Sequence, residues 1–253
     1  HNLRKYSNII AGKTKTAEFG IHAEPNSKNP HNTNYLPGTS SAGSAVAVAS
    51  RMVPIALGSQ TAGSTIRPSS YCGIFGMKPT FGTIPRVGVL KTSDSLDHIT
   101  FMTNSINDLD IAFETLRVRG SNYPLVNKFI DNGKNNYVNL SKIKIGFVKT
   151  HTWDNAEVYT RENINNFLNK LSNNNLNVKE INLPVLFNES HNIHQNIYTK
   201  SLSYYFREEF DNKKEMLRAS TRKMIEEGNN ISNEEYYKNI NKQNTMVTEL
   251  DRI

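Results

Sequence analysis

The stretch Pro37–Ser50, PGTSSAGSAVAVAS, constrains this chain more than any other. It carries no charge, no aromatic ring and nothing larger than proline or valine. Turn formers crowd its first half, and a small-residue run of helical character fills the second. A solvated linker would not continue into AVAVA, and a helix built only for packing has no use for adjacent serines at its start. Small residues let backbone segments approach one another closely. The stretch therefore predicts a serine-bearing turn, Ser40 and Ser41, that leads into a tightly packed helix.

A second stretch, GSQTAGSTIRPSSYCG (Gly58–Gly73), repeats the theme. Ser64 follows the small residues Thr61, Ala62 and Gly63 and precedes a new regular element. Consecutive backbone N–H groups beside a serine are what an oxyanion hole requires. On these residues alone, two such turns fit either a close-packed scaffold or a catalytic site.

Their surroundings read as an α/β fold. NIIAG is a short apolar run of strand type, followed by a Pro/Asn/His-rich loop. MVPIALG, CGIFGMKP and GTIPRVGVL are brief apolar runs bounded by Gly and Pro, as suits buried strands. KIKIGFVKT and NVKEINLPV bracket a segment with apolar residues at helical spacing (Val158, Ile164, Phe167, Leu168, Leu171), a β-α-β order that implies a parallel pair. From His191 onward the pattern is helical, interrupted near Gly228, with Ser232 as N-cap of a last helix. The expectation is a mixed, largely parallel β-sheet flanked by helices, in a single domain over residues 1–253 with its core motifs at 9–109.

Several functions lose their footing. The net charge of +7 comes from lysines scattered among asparagines and acids, without the basic and aromatic stripe of a nucleic-acid binder. AGKT at Ala11–Thr14 lacks the preceding glycine of a phosphate loop and reads as a tight turn. His191 and His194 have helical i, i+3 spacing but no third ligand, so they read as a surface helix face and no metal is expected. The S-x-x-K matches SKIK and STRK lie outside Gly-rich turns, and no G-x-S-x-G elbow occurs. No run of about 18 apolar residues is present, so no membrane span is expected. The single cysteine, Cys72, and the lack of a secretory signal pattern point to the cytoplasm.

Together, GTSSAGSAVAVASRMVPIALGSQTAGSTIRPSSYCGIFGMKPTFG resembles the amidase signature family, in which a G-G-S-S-G-G-S turn and small-residue helix precede G-T-D/Q-T-G-G-S. The two serines stand 24 positions apart, as that family arranges its catalytic pair. IIAGKTKTAEFG, NPHNTNYLPG and GTIPRVGVLKTSDSLDHIT resemble the flanking segments. The resemblance implies an amidase that cleaves a carboxamide C–N bond by Ser-Ser-Lys chemistry, without cofactor. Ser64 would be the nucleophile and Ser40, after a cis peptide bond, the bridging serine. Thr61, Ala62 and Gly63 would shape the oxyanion hole, and Gly38, Ser41, Gly43 and Arg67 would support it. The partner would be a small amide, and the resemblance leaves room for a homodimer.

The sequence departs from the family at several places. Thr39, Ala42 and Ala62 replace glycines, Gln60 stands where many members have aspartate, and Arg67 falls three residues after Ser64. The last two favour a free-standing amidase over the alternative, the A subunit of a glutamyl-tRNA(Gln)/aspartyl-tRNA(Asn) amidotransferase. A non-catalytic scaffold that retains the motif is the remaining alternative. The family's lysine belongs to an upstream stretch that this chain does not contain, and Lys13, Lys15 and Lys78 occupy other motif positions. With TELDRI ending inside a helical pattern, the expectation is an internal fragment, incomplete at both ends and inactive alone.

Overall fold

The computed structural model describes residues 2–5, 8–21, 24–119, 139 and 142–253. Its contacts group into two compact units, His1–Asn127 with His194–Tyr237 and Lys128–Ile193 with Lys238–Ile253.

The first unit is organised around a three-stranded sheet of order β1-β3-β2, with β1 at Ile55–Gln60, β2 at Phe75–Met77 and β3 at His98–Thr103. Both pairings are antiparallel: Leu57 faces Phe101 in one and Met77 faces Phe101 in the other. The mixed α/β class is as expected, but the pairing within this sheet is not the parallel one. The sequence reading passed over HITFMT, whose run of buried residues shows no alternation because the strand is covered on both faces. Phe101 packs with Ile84, Ala112 and Leu116 on one side, and Met102 with Ala45, Val48, Ala56 and Cys72 on the other. Central strands of this kind lose the period-2 signal.

Helix α1 (Asn2–Lys5) is short, and α2 (Ala42–Ala49) begins at the serine turn. The need for small residues in α2 is visible. Ala42, Gly43, Ser44, Ala45, Ala47 and Val48 are all buried, and the Gly43 N–H donates to the Lys15 carbonyl at 3.1 Å. A Cβ on Gly43 would run into that same Lys15 backbone. Helix α3 (Ile66–Tyr71) follows the second serine turn, and α4 (Ile106–Leu116) is capped by Ser105, whose Oγ accepts from the Asp108 N–H at 3.1 Å.

Two of the brief apolar runs are not strands. Residues 8–12 form no strand, the Asn8 N–H donating to the Leu3 carbonyl at 3.1 Å, and Ile9 is 94% exposed. Thr83–Leu90 forms turns, with Val87 95% exposed. Pro85 cannot donate to a ladder, and Gly82 and Gly88 sit at φ +79°, so this segment bends instead of pairing.

In the second unit β4 (Lys144–Phe147) and β5 (Asn177–Glu180) pair in parallel, Ile145 opposite Val178, with α5 (Val158–Asn173) between them in the chain. This is the expected crossover. Ile164, Leu168 and Leu171 are half-buried, while Val158 and Phe167 remain exposed.

Further α-helices among the described residues are α6 (Ser190–Tyr205), α7 (Arg207–Lys213), α8 (Ala219–Asn229) and α9 (Asn233–Leu250). Ile21, Tyr198, Leu202, Phe206, Leu217 and Ile225 form a buried cluster of the first unit. The Ser232 cap is present, its Oγ accepting from the Glu235 N–H at 3.0 Å. No described helix is long and apolar enough to cross a membrane.

Candidate active site

The two serine turns meet. The Ser41 N–H donates to the Ser64 carbonyl at 3.1 Å, and the Ser40 carbonyl accepts from the Ala17 N–H at 3.3 Å. Ser41 also reaches sideways, its Oγ donating to the Ser59 carbonyl at 3.2 Å and accepting from the Ser59 N–H at 3.3 Å. The start of α2 is thereby sewn to the end of β1. Gly38 has φ +83°, and a Cβ there would stand 2.7 Å from the Pro68 Cα, so the first turn lies directly against the helix that follows the second. The Thr39–Ser40 peptide bond is cis. Ser40 and Ser41 are buried, whereas Ser64 is partly open to solvent.

The loop Thr61–Ser64 is held at both ends. Gln60 is buried, and its Oε1 accepts from the N–H groups of Thr65 and Ile66, each at 2.9 Å, which caps α3. At the other end the Thr61 Oγ1 donates to Asp97 Oδ1 at 2.6 Å. Asp97 gathers the Thr92 hydroxyl at 2.6 Å and the N–H groups of Thr92 and Ser93 at 2.8 and 2.9 Å. The Thr61 carbonyl accepts from His194 Nε2 at 3.1 Å. A Cβ on Gly63 would stand 3.0 Å from the Arg67 guanidinium, and the Gly63 carbonyl accepts from the Arg67 N–H at 3.0 Å.

With these anchors in place, the N–H groups of Ala62, Gly63 and Ser64 donate to no other described residue. An oxyanion needs donors, and donors unspent on the protein are available to a ligand.

Beside Thr61 lies a cleft of about 290 Å³ with Phe19, Val89, Leu90 and Ile99 among its apolar walls. Its charged groups are already engaged locally. Arg86 donates to the carbonyls of Asp94 and Asp97 and covers the Phe81 ring at 4.6 Å, Lys91 lies 3.2 Å from Asp94, and Asp97 is occupied as described. Burial pushes the His98 imidazole below its ordinary pKa. Lys78, at the end of β2, has its Nζ 3.4 Å from His98 Nε2, and burial lowers its pKa too. Cys72 is a buried thiol pushed up to about 11 by desolvation.

Sequence reasoning missed three residues that hold this site. In the sequence Gln60 stands out only as a family variant, Asp97 carries no signal, and His194 has the spacing of a surface helix face. His191 does lie on the surface, its Nδ1 2.9 Å from His151 Nε2, but His194 turns to Thr61. A contact across 133 residues leaves no local trace in the sequence. Among the described residues no group of three or more His, Cys, Asp or Glu is placed to hold a metal ion.

The sequence profile of the Amidase family matches residues 1–252. The A subunit of glutamyl-tRNA(Gln) amidotransferase from Agathobacter rectalis is 43% identical over 114 residues, 43% of this chain and 23% of that protein. Its counterpart from Brachyspira hyodysenteriae is 34% identical over 181 residues, 69% of this chain and 36% of that protein. Among solved structures, a crystal structure of an amidase superposes with a TM-score of 0.83 at 21% identity over 98% of this chain and 55% of its own. A 6-aminohexanoate cyclic dimer hydrolase complexed with substrate gives 0.79 at 17% identity, over 99% of this chain and 56% of its own. The chain thus spans little more than half of these structures and a smaller part of the curated relatives.

Proposed function

The chain belongs to the amidase family, and on that premise we propose that Ser64 is the nucleophile of a carboxamide hydrolysis assisted by Ser40. The observation that carries this reading is the pinned loop Thr61–Ser64, whose N–H groups at Ala62, Gly63 and Ser64 donate to no other described residue, joined to the Ser40 turn through the Ser41 N–H.

The Ser64 Oγ attacks the amide carbonyl carbon, and its proton passes by way of Ser40 toward a lysine base. Negative charge gathers on the carbonyl oxygen, where the loop N–H groups receive it; one such donor is typically worth about 3 kcal/mol in a transition state. The C–N bond then breaks as the leaving nitrogen takes the proton, releasing ammonia or an amine and leaving an ester on Ser64. Water attacks the ester, yields the carboxylic acid and restores the serine. By the family resemblance the base is the upstream lysine, not Lys13, Lys15 or Lys78. The cleft beside Thr61 combines apolar walls at Phe19, Val89, Leu90 and Ile99 with Arg86, Lys91, Asp97 and His98, which supports an acyl group with an apolar part.

A serine-directed phosphonate and peptide mapping test the assignment in the intact protein. The adduct is expected on Ser64, and Ser64→Ala should lower turnover by about 10³-fold or more. An adduct on another serine, with Ser64→Ala fully active, rejects it. Ser40→Ala should also slow turnover severely, and the double variant should be little worse than Ser64→Ala, because residues that act as a unit do not lose activity multiplicatively. Lys78→Met should keep most activity.

A second reading, the A subunit of a tRNA-dependent amidotransferase, is favoured by the curated relatives, several of which carry that name. Gln60 weighs less against it than the sequence suggested, since its role is to accept two N–H groups, which a carboxylate also does. Activity without partner subunits, ATP or charged tRNA separates the free amidase from this alternative. Co-purification with a tRNA-binding subunit, and inactivity without it, would favour the second reading.

A further inference from the structure

We infer that His194 is a positioning residue for the candidate oxyanion loop, acting through the Thr61–Ala62 peptide; this rests on the reading of Ser64 as nucleophile. A trans peptide is planar, and its C=O and N–H point in opposite directions. The Thr61 carbonyl is held by His194 Nε2 at 3.1 Å. The Ala62 N–H in the same plane is therefore turned away from α6, and Ala62 itself is exposed. Fixing one end of the peptide dipole fixes the other, so a donor on α6 sets the direction of the first N–H of the loop.

The contact is rigid from the helix side. Ile197 and Leu202 are fully buried, and the Ser201 and Ser93 hydroxyl oxygens lie 3.2 Å apart, within hydrogen-bond distance. Ser93 also donates its N–H to Asp97, the same carboxylate that holds the Thr61 side chain. The Tyr198 ring, one turn along α6, packs 5.7 Å from the imidazole. Thr61 is thus gripped by its side chain and its carbonyl, from two different segments that are themselves joined.

Two consequences follow for chemistry. The carbonyl oxygen can only accept, so Nε2 carries the proton and donates. A peptide whose C=O accepts a hydrogen bond is polarised, which strengthens its N–H as a donor. His194 then both aims and sharpens the Ala62 N–H, and it does so without touching substrate.

The test uses two substitutions in the intact protein, with any partner subunits that co-purify. In His194→Gln the side-chain amide can place a donor near the position of Nε2, whereas His194→Leu keeps bulk and removes the donor. Turnover is measured on a panel of carboxamides (acetamide, benzamide, glutamine), and tetrahedral binding with the aldehyde of the best acyl group. His194→Leu is expected to lower kcat by about tenfold to a hundredfold, below the loss typical of deleting a direct oxyanion donor. KM should stay within about twofold, and aldehyde affinity should fall in step with kcat. His194→Gln should recover most of both. Equal losses in the two variants, or losses that track melting temperature, overturn the inference in favour of plain packing. Unchanged kcat in His194→Leu, with Ser64→Ala inactive, overturns it while leaving Ser64 in place. An active Ser64→Ala overturns the parent reading and this one together.

Discussion

Gly43 and Gly146 are both denied a side chain by close neighbours, but the neighbours differ in kind. A Cβ on Gly43 would strike the backbone of Lys15, while one on Gly146 would meet the tip of the Ile181 side chain. The contrast runs through both regions. Around the serine turns, backbone packs on backbone and hydrogen bonds fix the loop at Gln60, Thr61, Ser41 and Asp97. Around β4, α5 and β5 the packing is made by side chains, most of them exposed, and the polar links include surface pairs such as Lys149–Glu180 at 2.8 Å. Tolerance should therefore be unequal even where the geometric demand looks alike.

The largest expected effect breaks the comparison at its root. Gly43→Ala should destabilise by about 3 kcal/mol, at the upper end of overpacking, because the added Cβ meets backbone atoms of Lys15 and backbone must shift to admit it. Gly146→Ala should cost under about 1 kcal/mol, since Ile181 can change rotamer. Urea unfolding of both variants decides the point, and equal losses would mean that the two regions are packed alike.

Next comes Gln60→Leu, which leaves the N–H groups of Thr65 and Ile66 unaccepted. It should cost about 2 kcal/mol and lower turnover. Its counterpart Glu180→Gln, in an exposed pair, should change stability by less than about 0.5 kcal/mol. A smaller effect is kinetic. Cys72, held near 11 by burial, should resist iodoacetamide at pH 8 in the native protein and react on unfolding. Rapid native labelling would show that the packing between α2 and α3 opens.

The smallest effect is a slope. His98 has a folded pKa depressed by burial, so the unfolded chain binds a proton more readily. Its contribution is full above the unfolded value of about 6.5 and is lost as pH falls toward the folded one. His98→Gln should flatten that part of the stability profile as pH falls below about 6.5. An unchanged slope would place the acid sensitivity elsewhere.

What the sequence disclosed follows the same division. The serine turns, the small-residue helix and the Ser232 cap were legible because local chain geometry demands particular residues there. The parallel β4–β5 pair was legible from periodicity. The centre of the first sheet was not: β3 has both faces covered, so HITFMT shows no alternation, and the antiparallel order depends on pairing partners distant in the chain. Val87 and Ile9 misled because an apolar residue does not announce whether it will find a neighbour. His194 and Asp97 act on Thr61 across 133 and 36 residues, where no spacing rule operates.

The grip of His194 on Thr61 also has a consequence in time. A ribosome adds about 5–20 residues per second, so 133 residues separate the two by about 7 to 27 seconds of synthesis. Throughout that interval the nascent segment carries Ser64 with the Thr61 carbonyl unheld by α6. The orientation of the Thr61–Ala62 peptide that α6 imposes is therefore set only after that helix has emerged, so the order of manufacture itself delays the completion of this loop.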